Sequence, residues 1–156
     1  MGIYKRELAT GYAERWALSR NPRYYDFDPL GGDCTNFISQ CLYAGCGVMN
    51  YTKTFGWYYK NLNDRSPAWT GVGELYKFLT SNKGSGPQAK LCEIGEAEVG
   101  DILQLGTMDG RFYHSLIIMR ASPEVLVAAH TDNALFRPLS SYSFENIRAL
   151  HIFNIG

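Results

Sequence analysis

Four cysteines and three histidines are the side chains here that could act as nucleophile and base near neutral pH. Cys34 stands apart from the other thiols. It lies in Leu30-Gly31-Gly32-Asp33-Cys34-Thr35-Asn36-Phe37-Ile38-Ser39-Gln40-Cys41-Leu42, where a glycine pair closes a Pro-bearing loop and a polar residue opens an apolar-periodic helix. That position puts a thiol at a helix N-terminus. Unpaired N–H groups and the positive end of the helix dipole favour a charged sulfur there, which is the reactive form. The chemistry is nucleophilic attack on a carbonyl through a thioester. It requires an imidazole within reach of the sulfur and a partner on the other ring nitrogen to fix the tautomer. The main-chain N–H of Cys34 is a candidate oxyanion donor. Asp33 opposes thiolate formation unless its carboxylate points away as a helix cap.

His114 and His130 are the candidate imidazoles. His114 opens Ser115-Leu116-Ile117-Ile118-Met119, the chain turns at Ala121-Ser122-Pro123, and Glu124-Val125-Leu126-Val127-Ala128-Ala129 returns to His130. A three-residue turn pairs Arg120 with Glu124 and sets His114 opposite His130, with Cβ atoms ~4.5 to 5.5 Å apart on one face. A four-residue turn without a bulge sends them to opposite faces. The expected catalytic set is Cys34, His114 and His130. Asp132, two residues beyond His130, is the rival third member, and Asn133 a weaker one. His151, inside Ala149-Leu150-His151-Ile152-Phe153, is expected to be structural.

The elements that must position these groups can be read from periodicity. A first helix is expected from Tyr4 to Leu18 with Leu8, Tyr12 and Trp16 as its buried stripe, and a second from Thr35 to Ala44 with Phe37, Ile38, Cys41 and Leu42 inward. Thr70 would cap a third helix reaching Asn82. The stretch from Gly45 to Trp69 is irregular and aromatic. Its Trp57, Tyr58 and Trp69 either line a substrate cleft or pack onto the core. Asp101–Leu105, Phe112–Arg120, Val125–Thr131 and Ile147–Ile155 read as strands of an antiparallel sheet. Helices first and strands afterwards predict an α+β domain, N-terminal helices packed on a C-terminal antiparallel sheet, with residues 1–156 as one domain.

Composition narrows the function classes. The 156 residues carry fifteen basic and fifteen acidic side chains, so no charge excess draws the chain to nucleic acid or anionic lipid. No apolar run reaches the about 20 residues of a membrane span. Met1-Gly2-Ile3-Tyr4-Lys5-Arg6 leads into a helical pattern rather than a signal-peptide core, so the chain as written is expected to stay in the cytoplasm; as an excised domain it would be extracellular or wall-bound. Cys34, Cys41, Cys46 and Cys92 contain no Cys-x-x-Cys pair, which argues against disulfide staples and a zinc site. No metal or other cofactor is expected. Cys41 reads as a small buried hydrophobe.

Taken together, Asn21-Pro22-Arg23-Tyr24, Gly31-Gly32-Asp33-Cys34-Thr35-Asn36-Phe37, Trp57-Tyr58-Tyr59, Ala68-Trp69-Thr70, Gly100-Asp101-Ile102-Leu103, His114-Ser115 and Ala129-His130-Thr131 resemble the bacterial putative amidase domain. That family is similar in its core to NlpC-type cell-wall peptidases and other papain-like cysteine hydrolases. The resemblance implies a papain-like core, Cys34 as nucleophile, His114 as base and His130 as the third polar residue. It also implies a tyrosine ahead of the cysteine lining the site, Tyr24 or else Tyr25. Asp33, Trp57 and Trp69 join Tyr24 as candidate substrate contacts. The expected substrate is a peptide or peptidoglycan-fragment amide. A catalytically silent binding module and an acyltransferase using the same triad are the competing functions.

Overall fold

The computed structural model describes residues 2–156. Helices α1 (Arg6–Trp16) and α2 (Cys34–Cys46) come first, then a small hairpin of β1 (Tyr59–Asn61) and β2 (Asp64–Arg65), then α3 (Pro67–Thr70) and α4 (Val72–Ser81). Six strands follow: β3 (Pro87–Cys92), β4 (Ile102–Gly106), β5 (Phe112–Arg120), β6 (Leu126–Ala129), β7 (Ala134–Pro138) and β8 (Asn146–Ile155). They form one antiparallel sheet in the order β3-β8-β4-β5-β6-β7. The class is α+β, with helices laid on one sheet face.

Strand side chains alternate between two packed faces. Ile102, Ile117, Met119, Ala128, Leu150 and Ile152 meet the helices. Leu103, Leu105, Leu116, Ile118, Val127 and Ala149 meet a second cluster that includes Ala97, Leu139, Tyr142 and Phe144. Burial on both faces is why residues 116–119 read as an unbroken apolar run.

The helices depart from their sequence reading in instructive ways. The buried stripe of α1 is Ala9 and Ala13, continued by Ala17, while Leu8 is exposed. Small side chains let α1 lie close on α2, so packing distance outweighs hydrophobicity here. Helix α2 starts at Cys34 itself, is buried along nearly its whole length, and ends where Gly47 turns left-handed at φ 74° and returns its N–H to Tyr43. The expected third helix is α4, but its N-cap is the extended Gly71 rather than Thr70, which instead ends the short α3.

Trp57 and Trp69 belong to the core under α2, with no exposed surface. Their rings lie 4.8 Å apart, and Trp69 also packs on Tyr24 and Tyr59. The Trp57 indole donates to Ser39 Oγ at 3.0 Å, the Trp69 indole donates to Asn36 Oδ1 at 3.0 Å, and Ser39 donates to the Trp69 carbonyl at 2.9 Å. Both tryptophans therefore brace α2 rather than a cleft. Tyr58 is buried as well, whereas Phe55 projects into solvent. Trp69→Ala should cost about 3–5 kcal/mol in urea or thermal unfolding, since it empties a core site and leaves Asn36 Oδ1 without its donor. A loss below ~1 kcal/mol would show that Trp69 is not a core brace.

Candidate active site

Cys34 is the first residue of α2, and Asp33 precedes it without capping the helix by its side chain. The Asp33 carboxylate is turned elsewhere. Oδ1 accepts from the Phe27 N–H and from Asn36 Nδ2, both at 2.8 Å, while Oδ2 stands 2.6 Å from His130 Nδ1 and 3.5 Å from Arg20 Nε. The other ring nitrogen of His130 lies 2.7 Å from the Trp16 carbonyl, which can only accept, so Nε2 carries a proton. The Nδ1–Oδ2 contact then holds one more proton between ring and carboxylate. His130 is 1% exposed and stacks on Phe37 at 4.0 Å.

The opposition of His114 and His130 expected from the sequence is corrected by the observed register. Arg120 pairs with Leu126 rather than Glu124, and Ile117 pairs with Ala128, with a shift between Ile118 and Arg120. Continued toward the strand start, this register sets Ser115 across from His130. A slip of one residue moves every side chain to the other face. His130 accordingly reaches Phe37 and Asp33, and His114 reaches a different carboxylate.

That carboxylate is Asp132, whose Oδ1 lies 3.8 Å from His114 Nε2. Arg137 Nη1 donates to Asp132 Oδ2 at 2.8 Å, and the Tyr142 hydroxyl donates to the same oxygen. The guanidinium of Arg137 sits over the Tyr142 ring at 3.8 Å, and that ring is 6.0 Å from His114. Two donors on Oδ2 leave Oδ1 for the imidazole.

The electrostatics of this group are reciprocal. Burial opposes charge on Cys34, yet hydrogen bonding and charge from His114, a Ser115 main-chain hydrogen bond and the Thr35 hydroxyl together bring its pKa below the ordinary thiol value. Burial likewise works against protonated His114, but Asp132 and Cys34 raise its pKa from 6.5 to about 9. For Asp132, burial is outweighed by His114, Tyr142 and Arg137, which lower its pKa. The other thiols move the opposite way. Burial raises Cys41 strongly, Cys46 to about 11, and Cys92 to a lesser extent.

Tyr24 is half-buried, its ring 5.1 Å from that of Tyr59, and burial lifts its pKa to about 12. Tyr25 gives its carbonyl to Asn36 and its N–H to the Tyr59 hydroxyl. His151 Nδ1 is 2.9 Å from the fully buried Asp101, which also binds Arg6 at 2.8 Å and so ties α1 to the sheet. Among the described residues no group of His, Cys, Asp or Glu is arranged to hold a metal ion, and no helix is long and apolar enough to cross a membrane.

Residues 3–153 match the family model described as Putative amidase domain. This chain belongs to that family. The family's description points to hydrolysis of amide C–N bonds. The amidase-family chain is 34% identical over 160 aligned positions to the uncharacterized protein YhbB of Bacillus subtilis (strain 168), covering 92% of this chain and 50% of that one. It is 27% identical over 144 positions to the uncharacterized protein YjcM of the same organism, covering 86% of this chain and 32% of that one. The chain thus spans half or less of the length of these curated relatives. No solved structure matches it.

Sequence reasoning passed over Arg137 and Tyr142, which lie beyond the Asp132 turn and carry no motif of their own. It also passed over Thr35 and Ser115, although each directly follows a singled-out residue. His130→Ala should cost about 3–5 kcal/mol in urea denaturation, because Asp33 would keep a buried charge without its ring partner. Stability equal to wild type would show that the Asp33–His130 contact is not a structural tie.

Proposed function

We propose that this chain is a thiol amidase or peptidase with a papain-like core, in which Cys34 is the nucleophile, His114 the base and acid, and Asp132 the group that orients His114. The carrying observation is the pair of opposed shifts at Cys34 and His114, which favours a thiolate beside an imidazolium at neutral pH. A thiol-bearing helix laid against an antiparallel sheet that carries the imidazole supports the papain-like reading. Asp132 is preferred to His130 as third member because both His130 nitrogens are engaged elsewhere.

In this mechanism Cys34 Sγ attacks the amide carbonyl carbon and its electron pair forms the C–S bond. The carbonyl π electrons move to oxygen, near the free N–H groups at the start of α2. As the C–N bond breaks, His114 delivers its proton to the departing amine. Water, deprotonated by the now neutral His114, then attacks the thioester and releases the acid and the Cys34 thiolate. Asp132 holds the ring through both steps. The substrate class that fits the family and the thiol chemistry is a peptide or peptidoglycan-fragment amide.

With a peptide and muropeptide panel, kcat/KM should rise with pH as Cys34 ionises and fall as His114 loses its proton near pH 9. Cys34→Ala should abolish turnover with the fold intact by circular dichroism, and His114→Ala should lower kcat by about 10²–10⁴-fold. Hydrolysis that survives Cys34→Ala would contradict the assignment. Under native conditions at neutral pH, iodoacetamide should modify Cys34 ahead of the other three thiols. Equal labelling of all four by mass spectrometry would contradict the ionised sulfur.

A further inference from the structure

A line of buried polar groups runs from β8 to the candidate nucleophile. Arg148 donates from Nε and Nη2 to Gln104 Oε1 at 2.9 and 2.7 Å. Its guanidinium is held between the Tyr76 and Phe112 rings, at 3.6 and 3.8 Å, so the donor is fixed in place. Gln104 Nε2 donates to the Val72 carbonyl at 2.9 Å and to Ser115 Oγ at 3.2 Å. Ser115 Oγ is 3.0 Å from Thr35 Oγ1, and Thr35 Oγ1 is 3.7 Å from Cys34 Sγ. Gln104, Ser115 and Thr35 are at most 1% exposed, so their hydroxyl and amide protons must find partners within the protein.

The direction of donation follows from the ends. An arginine has no acceptor and a carbonyl has no proton, so Arg148 fixes Oε1 as the acceptor of Gln104 and Val72 fixes Nε2 as its donor. Ser115 Oγ therefore accepts a hydrogen bond from Gln104, and its own hydroxyl proton is in reach of Thr35 Oγ1. Donation in that sense leaves the Thr35 proton for the sulfur. We propose that Arg148, Gln104, Ser115 and Thr35 form a one-way chain of hydrogen-bond donation that ends on Cys34 and holds it as a thiolate. These are positioning residues, acting from behind the sulfur while His114 acts from the other side. Successive donation in a dry interior polarises each bond in the same sense. The proposal rests on the reading of Cys34 as a thiolate nucleophile. The charged and titratable groups around the sulfur are His114 on β5, Asp132 behind it, and Asp33, whose charge is met by His130 and Arg20.

The test is the thiolate absorbance titration of Cys34 in the full chain with Cys41, Cys46 and Cys92 replaced by alanine. Thr35→Val should raise the Cys34 midpoint by about half to one pH unit, and Thr35→Ser should restore it. Gln104→Glu turns the chain round, because a carboxylate accepts from Ser115, Ser115 from Thr35, and the sulfur loses the Thr35 donor. Its upward shift should shrink in the Thr35→Val background, whereas a charge acting through space would add in full. If Gln104→Glu does not fold, Arg148→Met takes its place in the cycle by releasing the Gln104 amide to turn over. A Cys34 midpoint unmoved by Thr35→Val, or additive shifts in the cycle, would overturn the chain. His114→Ala separates the two readings, since a midpoint unmoved by that change would instead remove the thiolate–imidazolium pair on which the proposal stands.

Discussion

The anchoring of the start of α2 to β5 and to the end of β6 is the constraint on which the rest of this structure depends. Two contacts fix it: Asp33 to His130 at 2.6 Å, and Thr35 to Ser115 at 3.0 Å. They flank Cys34 in sequence. A carboxylate next to a thiolate would normally oppose its ionisation, but Asp33 is held in a buried pair with His130 and faces Arg20 as well. Its charge is balanced within its own network, so the helix terminus keeps a favourable field for sulfur. The same tie sets the distance between helix and sheet at which His114 can meet the thiol.

Two histidines one strand apart thereby meet different surroundings. His130 has both nitrogens engaged in the interior. His114, at the margin of the sheet, has a sulfur on one side and Asp132 on the other. Four thiols in one small domain diverge by the same logic of environment, with Cys34 shifted down and Cys41, Cys46 and Cys92 shifted up. Position at a helix start is part of the difference. His114, a Ser115 main-chain hydrogen bond and the Thr35 hydroxyl act in the same sense.

Much of this was legible in the sequence, and the failures have physical causes. Helix α2 and strands β4, β5, β6 and β8 follow from periodicity, because their apolar spacing records which faces are buried. Strands β3 and β7 escaped because each lies at a sheet edge, where half of the backbone pairing and much of the burial signal is missing. The register of β5 against β6 hung on a turn whose length composition does not fix, and a one-residue error exchanged the partner of His114. The tryptophans suited either a cleft or a core by type alone, and only packing against α2 decided between them. Gln104 and Arg148 leave no local trace, since their hydrogen-bond partners are 11 to 44 residues away.

Membership in an amidase family and a thiol poised against an imidazole converge on one claim, that Cys34 and His114 share charge in the resting protein. Nuclear magnetic resonance titration of the His114 ring, in the wild-type chain and in Cys34→Ala, addresses it most directly. The ring should stay protonated through neutral pH with a midpoint near 9, and the midpoint should fall once the sulfur is gone. A midpoint near the ordinary 6.5, identical with and without the sulfur, would contradict it.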